Sequence, residues 1–163
     1  MSIKFGIMQG RLTKTNSNVL QKFPTDWSKE FDFIKKTSLD YIEFFTEKNF
    51  NKKNPLWSNN GIKKIKKKIS KVNHKEIIVC DNYVISHSLD KISTEKYLKL
   101  LIDQLSNFKK SKLIIPIVSN KLNNKKFFLN YILSIKKLLD YSNKKKVKLS
   151  FEIENKINIC QKI

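Results

Sequence analysis

Short apolar runs alternate with longer amphipathic segments along this chain. Five runs predict β-strands at residues 3–8, 40–46, 76–81, 112–117 and 147–153, and their starts lie about 36 residues apart. One segment of helical period lies between each pair of consecutive runs. Because strand and helix alternate throughout, the sequence predicts an α/β fold whose sheet is parallel and whose crossovers are right-handed.

Each of the four amphipathic segments carries its apolar side chains on one stripe, as expected of helices that pack on a sheet. The first is predicted over residues 27–38 with Asp26 as its N-cap. The second begins near Asn60, the third follows Ser93 and the fourth follows Asn124. The stripes consist of Trp27, Phe31 and Ile34; Ile62, Ile65, Ile69 and Val72; Leu98, Leu101, Ile102, Leu105 and Phe108; and Phe128, Tyr131, Ile132, Ile135, Leu138 and Leu139.

Two architectures fit this pattern: a five-stranded doubly wound sheet, or the first units of an eight-stranded (β/α)8 barrel. No glycine-rich phosphate-binding motif follows the first strand, and the chain has only 3 glycines. In the last strand Lys148, Ser150, Glu152 and Glu154 share one side, which a barrel strand can turn into the mouth of the barrel. The sequence therefore predicts one domain over residues 1–163, a partial TIM barrel of about four βα units and a fifth parallel strand.

The chain is strongly basic, with 34 lysine and arginine residues against 14 acidic ones and a net charge of +20. Such a surplus suggests a polyanionic partner. However, Arg11 is the sole arginine, and arginine is preferred for bidentate contacts with phosphates and bases. Lysine runs such as residues 63–64 and 66–68 also fall on the outer side of a predicted helix. Solvated helix faces are therefore the favoured interpretation, and nucleic acid is not the expected partner.

The two cysteines, Cys80 and Cys160, form no CxxC pair and are predicted to be free thiols. No apolar run reaches 18 residues, and no pattern of a signal peptide is present. We therefore expect a cytoplasmic protein with no membrane segment.

The opening residues 6–12 (GIMQGRL) resemble the start of bacterial sugar phosphate isomerases/epimerases that have a xylose isomerase-like barrel. Further similar segments follow in the same order and cover essentially the whole chain. They are Phe23-Pro24, Trp27 with Glu30-Phe31, DYIEF at 40–44, NPLWS at 54–58, CDNY at 80–83, IPIV at 115–118 and LSFE at 149–152.

The resemblance implies a metal-dependent enzyme that isomerises or epimerises a sugar or sugar phosphate through an enediolate. The metal would be a divalent ion such as Mn²⁺, Mg²⁺, Co²⁺ or Zn²⁺ near the carboxyl ends of the strands. A glutamate that ends the fifth strand serves in such enzymes as metal ligand and proton carrier, and Glu152 matches it. The remaining ligands come from strands six to eight, and this chain ends at Ile163. We therefore expect an N-terminal fragment with an incomplete site, inactive alone or self-associating through open barrel edges.

Glu43 ends the second strand on the side opposite Ile42 and Phe44, and it is the second catalytic candidate. The alternative is a buried carboxylate paired with a lysine. Gln9 and Arg11 follow the first strand and are candidates for substrate binding; Arg11 suits a phosphate or carboxylate, or else a structural salt bridge.

Two further substrate-binding candidates lie in loops. Trp57 follows the second strand and either stacks on a sugar face or covers the barrel mouth. His87 follows the third strand and can hydrogen-bond a sugar hydroxyl, whereas His74 precedes a strand, at the end opposite to barrel chemistry.

A different class of function remains open, in which a truncated, non-catalytic protein binds nucleic acid or another polyanion through its basic surface. A nuclease of the endonuclease IV-like branch of the same barrel requires several histidines. The chain has 2, so this option is disfavoured.

Overall fold

Five parallel strands form the sheet of the computed structural model, which describes residues 3–13, 22–72, 75–117 and 125–153, with only the backbone described for residues 125–127 and 153. The strands are β1 (Gly6–Met8), β2 (Tyr41–Thr46), β3 (Ile77–Asp81), β4 (Ser111–Ile117) and β5 (Lys148–Ile153). All five predicted strands are confirmed, most of them with slightly shorter bounds than the sequence indicates.

The strands lie in the order β1-β2-β3-β4-β5, so every strand is hydrogen-bonded to its neighbours in sequence. One register row crosses the whole sheet, through Met8, Glu43, Ile78, Lys112 and Lys148. A doubly wound sheet instead reverses its strand order at a switch point. The doubly wound alternative is therefore wrong for the described sheet.

In the described part of the chain, five α-helices lie between the strands: α1 (Glu30–Ile34), α2 (Asn59–Ile69), α3 (Tyr83–Ser86), α4 (Ile92–Leu105) and α5 (Lys125–Lys144). Short 3-10 helices precede α1 at Trp27–Lys29 and α2 at Pro55–Trp57. Helices α2, α4 and α5 begin within about two residues of their predicted starts. The short α3 and the 3-10 turn at Pro55–Trp57 have no counterpart in the sequence prediction.

The prediction of the first helix is wrong in two respects. The segment is a 3-10 turn followed by only 5 α-helical residues, so the helix ends at Ile34 instead of continuing to residue 38. Asp26 does not cap it, because its carboxylate accepts a hydrogen bond from the Lys29 ammonium at 2.6 Å. The salt bridge with the first turn replaces the expected bond to a backbone amide.

Two polar side chains, Asn54 and Ser58, form hydrogen bonds that hold the loop before α2 and the start of this helix. Asn54 Nδ2 donates to the Phe45 carbonyl at 3.0 Å, and its Oδ1 accepts from the Leu56 amide at 3.1 Å. Ser58 Oγ then accepts from the Gly61 amide at 3.0 Å, which caps the helix. The loop after β2 is thereby held against the end of its own strand.

The core lies between the helices and one face of the sheet. The strand residues in it are Ile42, Phe44, Ile77, Val79, Leu113, Ile115 and Ile117. The predicted helical stripes meet this face, with Ile65, Leu98, Leu101, Ile102, Leu105, Tyr131, Ile135 and Leu138 all buried. We call it the helix-packed face.

Alternate strand residues form the other side of the sheet, which we call the second face. It comprises Met8, Tyr41, Glu43, Phe45, Ile78, Cys80, Lys112, Ile114, Pro116, Lys148, Ser150 and Glu152. Its middle is apolar and buried at Phe45 and Ile78, whereas its ends carry charged side chains. Within the described part of the chain, no helix has the length and apolar character that crossing a bilayer requires.

Candidate functional site

Glu43 and Glu152, the two catalytic candidates from the sequence, both lie on the second face. Glu43 sits between Ile42 and Phe44, which point into the core, and its own side chain therefore points the other way. Glu152 follows Phe151, which packs against the core from the helix-packed face. Glu43 is half-buried and Glu152 is exposed. Both carboxylates therefore lie on the side of their strands opposite the core residues, as the alternation in the two strands predicts.

The surroundings of Glu43 favour its protonated form. Burial raises the pKa of this carboxyl, and the negative charge of Glu152 raises it further, while Lys112 opposes both effects. Lys112 lies in the same register row, two strands from Glu43. Glu43 therefore stands in the fields of a carboxylate and an ammonium group on one sheet face, and it holds a proton to higher pH than an exposed glutamate.

Cys80 belongs to the same face and is buried and free. Burial, followed by the charges of Glu43, Glu152 and Asp81, raises the pKa of its thiol to about 12. The thiolate is the form that attacks electrophiles and binds metals. Cys80 is therefore inert at neutral pH, in agreement with the prediction of an ordinary thiol; Cys160 lies outside the described residues.

Gln9 directly follows β1 and is buried. Its backbone N–H donates to the Glu43 carbonyl at 2.8 Å, a bond that belongs to the Met8–Glu43 pair of the β1–β2 ladder. Gln9 is 0% exposed, and neither Nε2 nor Oε1 of its side chain has a hydrogen-bond partner within the described structure.

Arg11 lies in the loop after β1, where its side chain is exposed. Glu30 of α1 holds this loop, because its buried carboxylate accepts from the Gly10 amide at 2.9 and 3.0 Å and from the Leu12 amide at 3.2 Å. The Thr13 hydroxyl adds a fourth bond at 3.1 Å. Sequence analysis found no role for Glu30, although a carboxylate at the start of a helix beside a glycine loop is a usable signal.

Trp57 and His87 join an aromatic group beyond the ends of β2 and β3. Trp57 contacts Phe50 and Tyr97, with ring centroids 5.0 and 5.2 Å apart. Tyr83 stacks on Tyr97 at 3.9 Å and on His87 at 3.7 Å. His87 Nδ1 also lies 3.0 Å from the Tyr83 carbonyl. Trp57 and His87 therefore belong to one row of contacting rings, linked through Tyr97 and Tyr83. Their proposed contacts with a sugar stay predictions.

Asp81 is hydrogen-bonded to Tyr97, one member of the aromatic group. Its buried carboxylate accepts hydrogen bonds from the Tyr97 hydroxyl at 3.1 Å, from the Val84 amide at 3.3 Å and from the Thr46 hydroxyl. Burial raises the pKa of Asp81 to about 6 in spite of these bonds. The sequence analysis missed Asp81, since an aspartate at a strand end gives no sign that a tyrosine 16 residues later will reach it.

The described residues contain no group of three or more His, Cys, Asp or Glu side chains that could hold a metal ion. Divalent ions require about four to six donors, and Glu43 and Glu152 supply only part of such a set. These residues alone therefore do not fit a divalent ion, and the role of Glu152 as a metal ligand stays a prediction. His74 and Glu154 lie outside the described residues.

Fold and site together define an α/β protein with a consecutive five-stranded parallel sheet and charged groups on one of its faces. No family model, curated protein or solved structure matches the chain.

Proposed function

We propose that the five strands are the first five of a (β/α)8 barrel of the xylose isomerase-like type, and that the protein acts in the isomerisation or epimerisation of a sugar or sugar phosphate. The observation that carries this proposal is that Glu43 and Glu152 lie on the same face of a parallel sheet whose strands follow one another in sequence. The charge of Glu152 also raises the pKa of Glu43, which is consistent with a sheet that is concave on that side.

The strand order supports a barrel. A barrel needs every strand to follow its predecessor around the axis, with helices outside and side chains inside. The described strands follow one another in sequence, and the core cluster uses only their helix-packed face. The second face, with its buried middle and charged ends, then corresponds to the barrel interior.

The register supports the same geometry. Strands lie about 4.8 Å apart, so β2 and β5 would be separated by roughly 14 Å in a flat sheet. Glu43 shares its register row with Lys148, four residues before Glu152. In a barrel of eight strands with shear eight, the level shifts by about one residue per strand. Three steps account for most of that offset, which would place both carboxylates at nearly the same height.

A pair of carboxylates in unequal surroundings suits proton transfer at a carbon next to a carbonyl. Exposed Glu152 acts as the base and takes the proton from that carbon, while the electron pair moves to the carbonyl oxygen to give an enediolate. Half-buried Glu43 retains its proton and delivers it to the opposite side of the carbon. Return of the carbonyl completes an epimerisation without any net gain or loss of protons.

Solvent deuterium tests this function. A complete barrel that contains these five strands is incubated in D₂O with a panel of ketoses and ketose phosphates, with and without Mn²⁺, and the sugars are followed by NMR. We expect deuterium at the carbon next to the carbonyl, and a loss of roughly 100-fold in its rate for Glu43→Gln or Glu152→Gln. Glu95→Gln, which removes a carboxylate from the surface of α4, is the matched control and should exchange normally.

Two results would overturn the proposal. One is the absence of deuterium in every sugar with every metal condition. The other is exchange that survives both substitutions, because the carboxylates would then have no part in moving the proton.

A further inference from the structure

A cavity of about 610 Å³ lies at the other end of the molecule, between the end of α2 and the segments that lead into β3 and β4. The residues that concern us are Ile69, Phe108, Lys66, Lys75, Lys109 and Lys110. We call this cavity the lysine pocket. Lys75 precedes β3 by two residues and Lys110 directly precedes β4, whereas Glu152 lies near the carboxyl end of β5. The pocket is therefore separate from the carboxylate site.

All the ionisable side chains that line the lysine pocket are lysines. The carboxyl ends of α2 and α4 compensate part of this positive charge, because each helix end carries about half a negative charge. Four ammonium groups exceed the two helix ends by roughly three charges. The ammonium groups around the cavity therefore repel one another, and a bound anion would reduce this repulsion.

The walls between the lysines are apolar. Ile69 is a buried core residue, and the half-buried Phe108 packs against the core and also lines the pocket. The Lys66 ammonium lies 5.7 Å from the centre of the Phe108 ring. An anion alone would leave this apolar surface in water, whereas a ligand with a flat apolar body would cover it.

One lysine is held in place. The Lys75 ammonium donates to the Ser70 carbonyl at 2.8 Å and also to the Val72 carbonyl, so it is fixed against the end of α2. All four lysines of the pocket are exposed to solvent. The pocket thus combines one hydrogen-bonded ammonium group with three other exposed ones, an arrangement that suits a phosphate chain, since lysine binds phosphate as a point charge.

We propose that the lysine pocket binds a nucleotide unit, with its base against Phe108 and Ile69 and its phosphates among the lysines. The volume lies within the usual range of about 300–1,000 Å³ for small-ligand sites. The unit is either a free nucleotide or part of a single-stranded nucleic acid, since both present the same base and phosphate. The scarcity of arginine is compatible with this site, because phosphate charge and stacking require no bidentate contact.

Binding is measured by calorimetry with ATP and by fluorescence anisotropy with a labelled oligothymidylate. Lys66→Gln with Lys110→Gln removes two pocket charges. The matched control, Lys63→Gln with Lys67→Gln, removes two exposed charges from the same helix outside the pocket. We expect the pocket variant to bind about tenfold more weakly, with a lower salt dependence, and the control to change by less than about twofold.

Phe108→Leu tests the stacking part of the site. We expect at least about fivefold weaker binding of ATP, while binding of inorganic tripolyphosphate stays unchanged. Circular dichroism of each variant checks that it is folded. Displacement of the oligonucleotide by ATP with similar affinities points to the free nucleotide, and an oligonucleotide that binds at least tenfold more tightly points to the single strand; either result supports the pocket.

Three results overturn the proposal. The first is no binding of ATP or oligonucleotide at millimolar concentration, and the second is an equal loss in the pocket and control variants, which means diffuse surface charge. The third is a pair of results: tripolyphosphate binds as tightly as ATP, and Phe108→Leu has no effect. The pocket would then bind only an anion and make no contact with a base.

Discussion

Glu43 on β2 and Glu152 on β5 lie on the same face of the sheet, although β3 and β4 lie between their strands. Burial is the larger cause of the raised pKa of Glu43, and the negative charge of Glu152 raises that pKa further. The proposed proton transfer depends on this relationship between the two carboxylates.

Lys112 is expected to tune the pair in the opposite direction. Its positive charge lowers the pKa of Glu43, so Lys112→Met should raise that pKa further and keep the carboxyl protonated to higher pH. The measurement is a ¹³C NMR titration of the Glu43 carboxyl. Lys63→Met, on the outer surface of α2, is the control and should leave the titration unchanged. A lower or unaltered pKa in Lys112→Met would contradict the arrangement.

Glu30 should be essential for the loop that carries Arg11. Glu30→Gln weakens the charge-assisted bonds to Gly10, Leu12 and Thr13 and turns an amide N–H group toward donors, at a cost of about 2 kcal/mol in the free energy of unfolding. Urea denaturation measures this cost. Glu95→Gln, which breaks a pair on the surface of α4, should cost less than about 1 kcal/mol. Equal losses in the two variants would rule out the anchoring role.

Asp81 should make the fold more stable as the pH falls from 7 to 5. Its pKa is about 6 in the folded protein against an ordinary 3.8, so the folded state binds the proton more tightly. This stabilisation is complete below the lower value and is lost as the pH rises through the higher one. The gain from pH 7 to pH 5 is about 1 kcal/mol.

Asp81→Asn isolates this contribution, because the variant has no carboxyl to titrate at that position. Asp103 and Glu95 do not obscure it, since their pKa values are lowered and their contributions change only at lower pH. Chemical denaturation at pH 7, 6 and 5 should show the gain in the original protein and a smaller one in the variant. The same pH dependence in both would show that Asp81 does not titrate in this range.

Gly61→Ala should lower the free energy of unfolding, although Gly61 lies in a helix. An alanine there normally stabilises a helix by up to about 1 kcal/mol. In this protein the added methyl group would collide with the backbone of Pro55, which cannot move aside as a flexible side chain would. We expect Gly61→Ala to lose about 1–3 kcal/mol in thermal or urea unfolding, and the neighbouring exposed Asn60→Ala to change by less than about 0.5 kcal/mol. A stabilised Gly61→Ala protein would contradict the close contact.

Much of the fold could be predicted because local patterns determine it. Short apolar runs at regular spacing located the five strands, and the stripes of α2, α4 and α5 appear in the core at the expected positions. The predicted cap of the first helix was wrong because the Asp26 carboxylate has two possible partners, the backbone amides and Lys29, and the sequence does not say which one it meets. Short turns such as α3 carry too few residues to show a helical period.

The site was predictable only in part. Alternation in β2 and β5 was enough to put Glu43 and Glu152 on the same face. It could not reveal Lys112 as their electrostatic partner, because that requires the register of β3 and β4. Gln9 was assigned to the substrate from its position after β1, and that assignment stays a prediction; nothing in the sequence indicated that the residue would be fully buried. Contacts between distant segments, such as Tyr97 with Asp81, leave no local pattern at all.

The most direct test of the account is the titration of the Glu43 carboxyl in the Glu152→Gln protein. Removal of the Glu152 charge should lower the pKa of Glu43 relative to the original protein, while Glu95→Gln should leave it where it was. If Glu43 titrates identically with and without the Glu152 carboxylate, the two groups do not share a site, and the proposed proton-transfer centre is contradicted.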